Sequence, residues 1–157
     1  MRAMISYDSG DVPRIQHFVK VHDFAAAIGT DEGLDGETLL VLEAASILHD
    51  IGIHPAEARY GSSASRYQEE LGPDEARKVL SEVGGFTPGQ TERICWLIGH
   101  HHTCTDVRDI DHRILLEADF LVNSYEDSIS MEGIVAFRDN VFRSQSAIHM
   151  LNEMWGI

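Results

Sequence analysis

Cysteine and positive charge are both scarce in this 157-residue sequence. The two cysteines, Cys95 and Cys104, are too few for a disulfide framework, which favours a reducing compartment. Lysine and arginine total 12 against 26 aspartate and glutamate residues, which gives a net charge of −14. This excess of negative charge repels a phosphate backbone and argues against a nucleic acid polymer as partner. A small phosphorylated substrate is still compatible with it, because a bound metal ion reverses the local field.

Long apolar runs are also missing. None approaches the roughly 18 residues that cross a bilayer. The N-terminal stretch MRAMISYDSGDVPR lacks the apolar segment of a signal peptide. We therefore expect no membrane partner and a cytoplasmic location.

Hydrophobic residues, by contrast, make up 43% of the chain and recur at helical spacing in almost every segment. No convincing strand alternation, internal repeat or linker interrupts the pattern. The sequence therefore predicts one all-α domain over residues 1–157, with a motif-bearing core at about 12–125 and a C-terminal helical extension at 130–157.

Capping residues predict where the helices begin and end. The expected segments run from Asp11 to Gly29, from Asp35 to Gly52, from Gly72-Pro73 to Gly84, from Thr87 towards Gly99, from Asp109 or Asp111, and after Ser130.

Two acidic and two imidazole side chains fall on strongly apolar helix faces, at His17, His49, Asp50 and Asp119. An isolated carboxylate there loses several kcal/mol of solvation unless it is paired or binds a metal. Two carboxylates with imidazoles nearby are most simply explained by a cation. Each residue also has an ordinary explanation: a hydrogen-bonded core histidine, a polar pair at a helix end, or the ion-pair partner of an arginine.

The three histidines of GHHHT are further candidates. His101 continues the apolar row of Ile94 and Leu97. We therefore expect His101 to face the core, His102 to come second and His100 to be the most exposed. The alternative is that the triplet only ends a helix, where its side chains meet free carbonyl groups.

Together these motifs resemble the HD superfamily of metal-dependent phosphohydrolases. The resemblance rests on RIQHFVKVHDFAAAIG, LEAASILHDIG, IGHHHT and LLEADFLVN, which follow the family's order between Arg14 and Asn123. It implies a compact helical bundle of the HD-domain type with a metal at its centre. Mixed nitrogen and oxygen donors suit a divalent Mn, Fe, Co, Ni or Mg ion. The metal ligands that it implies are His17, His49, Asp50 and Asp119.

The chain departs from some relatives in two ways. No histidine lies between His54 and His100, so we expect one ion per site, although His54 or His22 could complete a second. Ile53 stands where several relatives carry a lysine after HDIG. A cation for the substrate's phosphate must then come from elsewhere, and the candidates are Arg14, Arg59 and Arg66.

The resemblance implies hydrolysis of a nucleotide or other small phosphorylated metabolite by a metal-activated water. The expected catalytic groups are Asp50, His101, His102 and Glu57. His101 and His102 are also candidate metal or substrate ligands, and Asn123, one turn after Asp119, is a candidate to support a ligand. Two alternatives stay open: a metal-binding regulatory or nucleotide-sensing module without turnover, and an iron-dependent oxygenase. The motif-free segment after Ser124 leaves a homodimer contact open.

Overall fold

The described residues, 1–105 and 107–157 of a computed structural model, form nine α-helices and no strand. In chain order these are α1 (Arg2–Tyr7), α2 (Val12–Asp31), α3 (Gly36–Leu48), α4 (Ile53–Tyr60), α5 (Ser65–Val83), α6 (Pro88–Ile98), α7 (Ile110–Glu126), α8 (Met131–Val141) and α9 (Gln145–Trp155). The prediction of an all-α fold is confirmed.

Three helices, α2, α3 and α7, each pack against the other two, and α3 also packs against α6. Their inner faces bury large apolar side chains such as Phe18, Leu42 and Leu115. Burial of a side chain of this size is favourable by about 1.5–3 kcal/mol before the entropy of the chain is counted. Because the three helices meet, polar side chains on their inner faces converge in the middle of the bundle.

Several helices begin where the capping residues predict. Asp35 precedes α3, and its Oδ1 accepts hydrogen bonds from the N–H groups of Glu37 and Thr38, both at 2.9 Å. Thr87 and Gln90 form a reciprocal capping box at the start of α6. These caps satisfy N–H groups that a helix leaves without partners at its first turn.

The predicted helix start at Gly72-Pro73 is wrong, because α5 continues through both residues. Gly72 lies so close to α6 that an added Cβ would stand 2.8 Å from Ile98 Cγ2. Packing of α5 against α4 and α6 therefore holds the helix together across a proline whose missing N–H leaves one helical hydrogen bond unmade. Tertiary packing therefore overrides the tendency of the Gly-Pro pair to interrupt the helix.

Other predicted boundaries also differ. Helix α3 ends at Leu48 rather than continuing to Gly52, because residues 49–52 form a turn. Helix α2 continues past Gly29 to Asp31, because Gly29 is buried against Leu39 rather than placed at a helix end. The stretch after Ser130 is two helices, since the chain turns extended at Phe142 between α8 and α9.

The C-terminal helix α9 is fastened to the rest of the bundle by polar contacts. Glu32 Oε1 accepts hydrogen bonds from the N–H and Oγ of Ser146, at 2.9 and 2.7 Å. Trp155 Nε1 donates to Ser124 Oγ at 3.2 Å. Together these contacts join α9 to the ends of α2 and α7.

One stretch, Gly36–Tyr60, is long and apolar enough to cross a membrane by length and composition alone, with a mean hydropathy of 1.2. It comprises α3, α4 and the turn between them, and half of its most apolar window is buried. Side chains such as Leu42 and Ala45 lie in the core. The apolar composition is therefore accounted for by packing within the bundle.

Candidate metal centre

The side chains that the sequence singles out as metal ligands come together where α2, α3 and α7 meet. His17 lies on α2, Asp119 lies on α7, and His49 and Asp50 lie in the turn after α3. His49 is completely buried, and His17 and Asp119 are each 8% exposed. This turn packs closely on α5: a Cβ added to Gly52 would stand 2.4 Å from the backbone oxygen of Gln68. The glycine of HDIG therefore allows the pair to sit deep in the bundle.

The donor atoms of these four side chains face one another at short distances. His17 Nε2 is 3.2 Å from both His49 Nε2 and Asp119 Oδ1. His49 Nε2 is 3.5 Å from Asp119 Oδ1, and Asp50 Oδ2 is 3.6 Å from each imidazole Nε2. Two ligand atoms about 2.1 Å from one ion and at right angles to each other are about 3.0 Å apart. The observed spacings are close to this value, so the four side chains fit a single cation.

Hydrogen bonds on the far nitrogens orient the two imidazoles. His49 Nδ1 lies 2.8 Å from the carbonyl oxygen of Ser46, and since a carbonyl only accepts, Nδ1 carries the proton. His17 Nδ1 donates in the same way to Glu126 Oε2 at 2.7 Å. In the neutral imidazole each Nε2 then directs its lone pair into the cluster, as a metal ligand requires. Two such nitrogens 3.2 Å apart need a proton or a cation between them.

Burial and the short distances between the four groups shift the pKa value of each. Burial alone would lower the pKa of His49, but the charges of Asp50 and Asp119 outweigh burial and raise it to about 9. Burial also opposes protonation of His17, yet a hydrogen bond with Asp119 raises its pKa. Burial would raise the pKa of both carboxyl groups, but the imidazoles hold both well below their usual range. Two negative charges therefore persist in the bundle centre, where a cation stabilises them.

A second group of donor atoms lies beside the first. His101 is 1% exposed, its Nδ1 donates to the carbonyl oxygen of Ile98 at 2.6 Å, and its Nε2 lies 3.4 Å from Asp50 Oδ1. Within the described part of the chain this Nε2 makes no hydrogen bond. With His102 it completes a set of atoms within 4.8 Å of one another that shares Asp50 with the first group. Such a set can hold a second cation or an oxygen of a substrate.

The histidines of the triplet differ in their surroundings. His102 Nε2 lies 3.4 Å from Gln68 Oε1, and burial together with the neighbouring His101 lowers the pKa of His102 to about 4. The His100 ring stacks on Trp96, with centroids 4.1 Å apart, and its Nδ1 donates to the carbonyl oxygen of Trp96. His101 and His102 therefore lie beside Asp50, whereas His100 lies against Trp96.

Arg14, a candidate for phosphate binding, lies one turn before His17 on α2 among polar neighbours. Its guanidinium donates to His54 Nδ1 at 3.4 Å and lies 3.5 and 3.9 Å from carboxylate oxygens of Asp11 and Glu57. The positive charge of Arg14 is therefore already matched by carboxylates. Glu57, predicted as a catalytic group, belongs to this cluster rather than to the four-residue centre.

The other residues considered for the site have contacts of their own. The guanidinium groups of Arg59 and Arg66 lie over the rings of Tyr60 and Tyr67, at 5.1 and 4.5 Å from the centroids. His22, considered for a second metal site, lies 3.2 Å from Asp23 Oδ1. Phosphate binding by these arginines stays a prediction.

Two supporting residues follow Asp119 on α7. Asn123 Nδ2 donates to Asp119 Oδ1 at 3.0 Å, and its role in supporting a metal ligand stays a prediction. Sequence reasoning missed Glu126, which orients His17 and also pairs with Lys20. Its position seven residues after Asp119 places it two turns along the same helix face, and that spacing was the available signal.

Comparison with known proteins agrees with this geometry. A family model described as HD domain matches residues 14–124, which include all four members of the cluster. Searches among curated proteins and among solved structures find no match. The family is in general one of metal-dependent hydrolases, and the His and Asp cluster described above is able to hold a metal. Because the match covers well over half of the sequence, the chain belongs to the HD domain family.

Proposed function

We propose that the chain is a metal-dependent phosphohydrolase that acts on a nucleotide or another small phosphorylated metabolite. The observation that carries the proposal is the convergence of two imidazole nitrogens and two carboxylates at 3.2 to 3.6 Å in the centre of the bundle. Ser46 and Glu126 hold the far nitrogens of the two imidazoles, and Asn123 donates to the Asp119 oxygen that faces them, which is how protein metal ligands are usually supported.

The donor set indicates the kind of cation. Two nitrogen and two oxygen donors without a thiolate suit a divalent ion with six ligands, such as Mn, Fe, Co, Ni or Mg, and leave positions for water and substrate. We assign His17, His49, Asp50 and Asp119 as its ligands. One ion per site accounts for these four residues. A second ion would use the neighbouring group that shares Asp50.

An ion in this place would lower the pKa of a water molecule and neutralise phosphate oxygens as negative charge builds up. The protein's own part is to orient the ligands and to provide polar groups at the open side of the site. His101 Nε2 is directed at Asp50 while its other nitrogen is fixed by Ile98, so His101 can bind a substrate oxygen or accept a proton there. His102 lies next to it and is available for the same role.

The experiment is a metal-dependent activity screen. The protein is stripped of metal, reloaded with Mn²⁺, Fe²⁺, Co²⁺, Ni²⁺ or Mg²⁺, and assayed for phosphate release from nucleotides and small phosphorylated metabolites. We expect release only with metal, and a loss of at least about 100-fold in His17→Ala, because removal of a ligand costs at least as much as removal of a supporting residue. His22→Ala, a histidine substitution on the same helix, is the matched control and should retain activity.

Equal activity in His17→Ala and His22→Ala would contradict the proposal. So would release that persists after the metal has been removed and shown to be absent by elemental analysis. Tight nucleotide binding by metal-loaded protein with no phosphate release would also contradict it and would support the regulatory alternative.

A further inference from the structure

A polar cavity of about 280 Å³ lies between α7, α8 and the segment that precedes α7. We call it the arginine cavity, and its lining consists of Cys104, Val107, Arg113, Leu116, Asn140, Val141 and Arg143. Pockets for drug-sized ligands measure roughly 300–1,000 Å³. The arginine cavity therefore suits one small group of a ligand rather than a whole nucleotide.

The arginine cavity brings two guanidinium groups together in a protein whose net charge is −14. The Arg143 guanidinium donates to backbone carbonyl groups, at 2.5 Å to Phe142 and 2.7 Å to Asn140, so these contacts do not neutralise its charge. Arg113 lies near Glu117, whose pKa is raised by burial even though Arg113 acts in the opposite direction. Glu117 in turn accepts the backbone N–H of Arg143 at 2.6 Å, which fixes the end of α8 at the cavity.

Other arginines of the chain are engaged differently. Arg14, Arg77 and Arg93 each lie within ion-pair distance of a carboxylate. Among the described residues, no carboxylate lies at that distance from Arg113 or Arg143. Arg113 acts on the carboxylates of Glu117 and Glu32 only through space, so among the described residues both guanidinium groups can still contact an anion.

The arginine cavity shares parts of the chain with the candidate metal centre. Cys104, on its wall, donates from Sγ to the carbonyl oxygen of His102 at 3.8 Å. Burial raises the pKa of the Cys104 thiol, and the charge of Asp119 contributes to the rise, which places Cys104 within electrostatic reach of a proposed metal ligand. Leu116, on the opposite wall, precedes Asp119 by three residues on α7. Cys104 and Leu116 thus connect the wall of the arginine cavity to the segment that carries His102 and to the helix that carries Asp119.

We propose that the arginine cavity binds a second, non-reacting phosphate group of the substrate, so that the substrate class is one with two separated phosphates. This inference rests on the proposed phosphohydrolase function for the meaning of the site, but binding of an anion there does not require turnover. Bidentate contact by Arg113 and Arg143 gives the selectivity for phosphate, and Asn140 supplies a neutral polar group.

The test uses inorganic phosphate and the full-length, metal-free protein, in which the metal centre contributes no cation. Two-dimensional amide spectra recorded during a phosphate titration should shift most at residues of the arginine cavity. Arg113→Gln and Arg143→Gln should each weaken phosphate binding by about tenfold or more. Arg77→Gln, which removes the same charge from α5, is the matched control and should bind as the wild type does.

Because Arg143 also contacts the end of α8, a further variant keeps the test independent of folding. Cys104→Asp places a carboxylate at the exposed wall and leaves both guanidinium groups intact, and it should weaken phosphate binding as well. Unchanged binding in both arginine variants, shifts confined to other parts of the chain, or no binding by the wild type would each overturn the proposal. Phosphate binding at the arginine cavity in a protein that hydrolyses nothing would retain the anion site and reject only the proposed hydrolysis.

Discussion

Glu126 provides the sharpest test of how the proposed centre is supported. It is outside the ligand set, yet its Oε2 accepts the Nδ1 proton of His17 at 2.7 Å. That bond holds the His17 ring so that Nε2 faces Asp119 at 3.2 Å. Glu126→Ala removes the carboxylate and allows the ring to rotate. We therefore expect weaker metal binding with the fold unchanged.

The size of the effect can be estimated from this geometry. Carboxylates that orient a metal-bound histidine typically contribute 10–100-fold to metal affinity, or about 1.4–2.7 kcal/mol. The Glu126 side chain is 27% exposed and also pairs with Lys20, and both features reduce its influence on His17. The expected loss in Glu126→Ala is therefore about tenfold, the lower end of the range. Glu126→Gln keeps an acceptor but loses the charge, so its affinity should lie between those of the wild type and the alanine variant.

Isothermal titration of the metal-free variants with Mn²⁺ measures this loss. Asp127→Ala, an exposed carboxylate next to Glu126, is the control and should bind Mn²⁺ as the wild type does. Lys20→Ala removes the ion pair but keeps the bond to His17, so its effect should be smaller than that of Glu126→Ala. If Glu126→Ala and Asp127→Ala bind Mn²⁺ equally well while both are folded, the orienting role of Glu126 is refuted.

Three further predictions concern the framework and are checked by thermal and chemical unfolding. Gly52→Ala should lower the free energy of unfolding by about 3 kcal/mol, the upper end for overpacking, since its Cβ would stand 2.4 Å from a backbone oxygen of α5. Gly89→Ala is the control, because its Cβ meets nothing within 4 Å and should not destabilise the fold. Hydrogen bonds from Ser146 lower the pKa of Glu32 in the folded protein below its unfolded value of about 4.5. These bonds therefore stabilise the fold at pH values above about 4.5, and the stabilisation is lost as the pH falls through the pKa of the folded protein. Glu32→Gln should make the free energy of unfolding depend less on pH in the acid range, and an unchanged dependence would contradict this role of Glu32. Leu151→Ala, at a fully buried position of α9, should cost about 2–5 kcal/mol, and a smaller loss would show that α9 is only loosely docked.

The sequence predicted the fold where local signals and packing agree. The cap at Asp35 and the capping box at Thr87 are local, since each cap residue and the groups to which it is hydrogen-bonded lie within one turn, and both helix starts are confirmed. Gly72 and Pro73 carry an equally strong local signal, but α5 runs through them because contact with α6 decides the outcome. A residue pattern contains no measure of such a distant contact, which is why this boundary was wrong.

The candidate site shows the same division. Polar residues on apolar faces could be recognised one helix at a time, and the structure brings those of α2, α7 and the turn after α3 together. The arginine cavity could not be predicted, because Arg113 and Arg143 become neighbours only when α8 folds back beside α7. Residues that meet only when distant helices pack together have no characteristic spacing in the sequence, so they could not be predicted from it.

The distribution of positive charge bears on how the proposed phosphorylated substrate would be held. Ile53 provides no cation after the HD turn, and the charge of Arg14 is matched by Asp11 and Glu57. The carboxylates of Asp50 and Asp119 add negative charge where the reacting phosphate of the proposed substrate would lie. From these charges we expect that, under the proposed function, the reacting phosphate would depend on the metal ion for binding as well as for chemistry. A second phosphate held by the arginine cavity would then supply binding energy that the reacting phosphate cannot obtain from the protein alone.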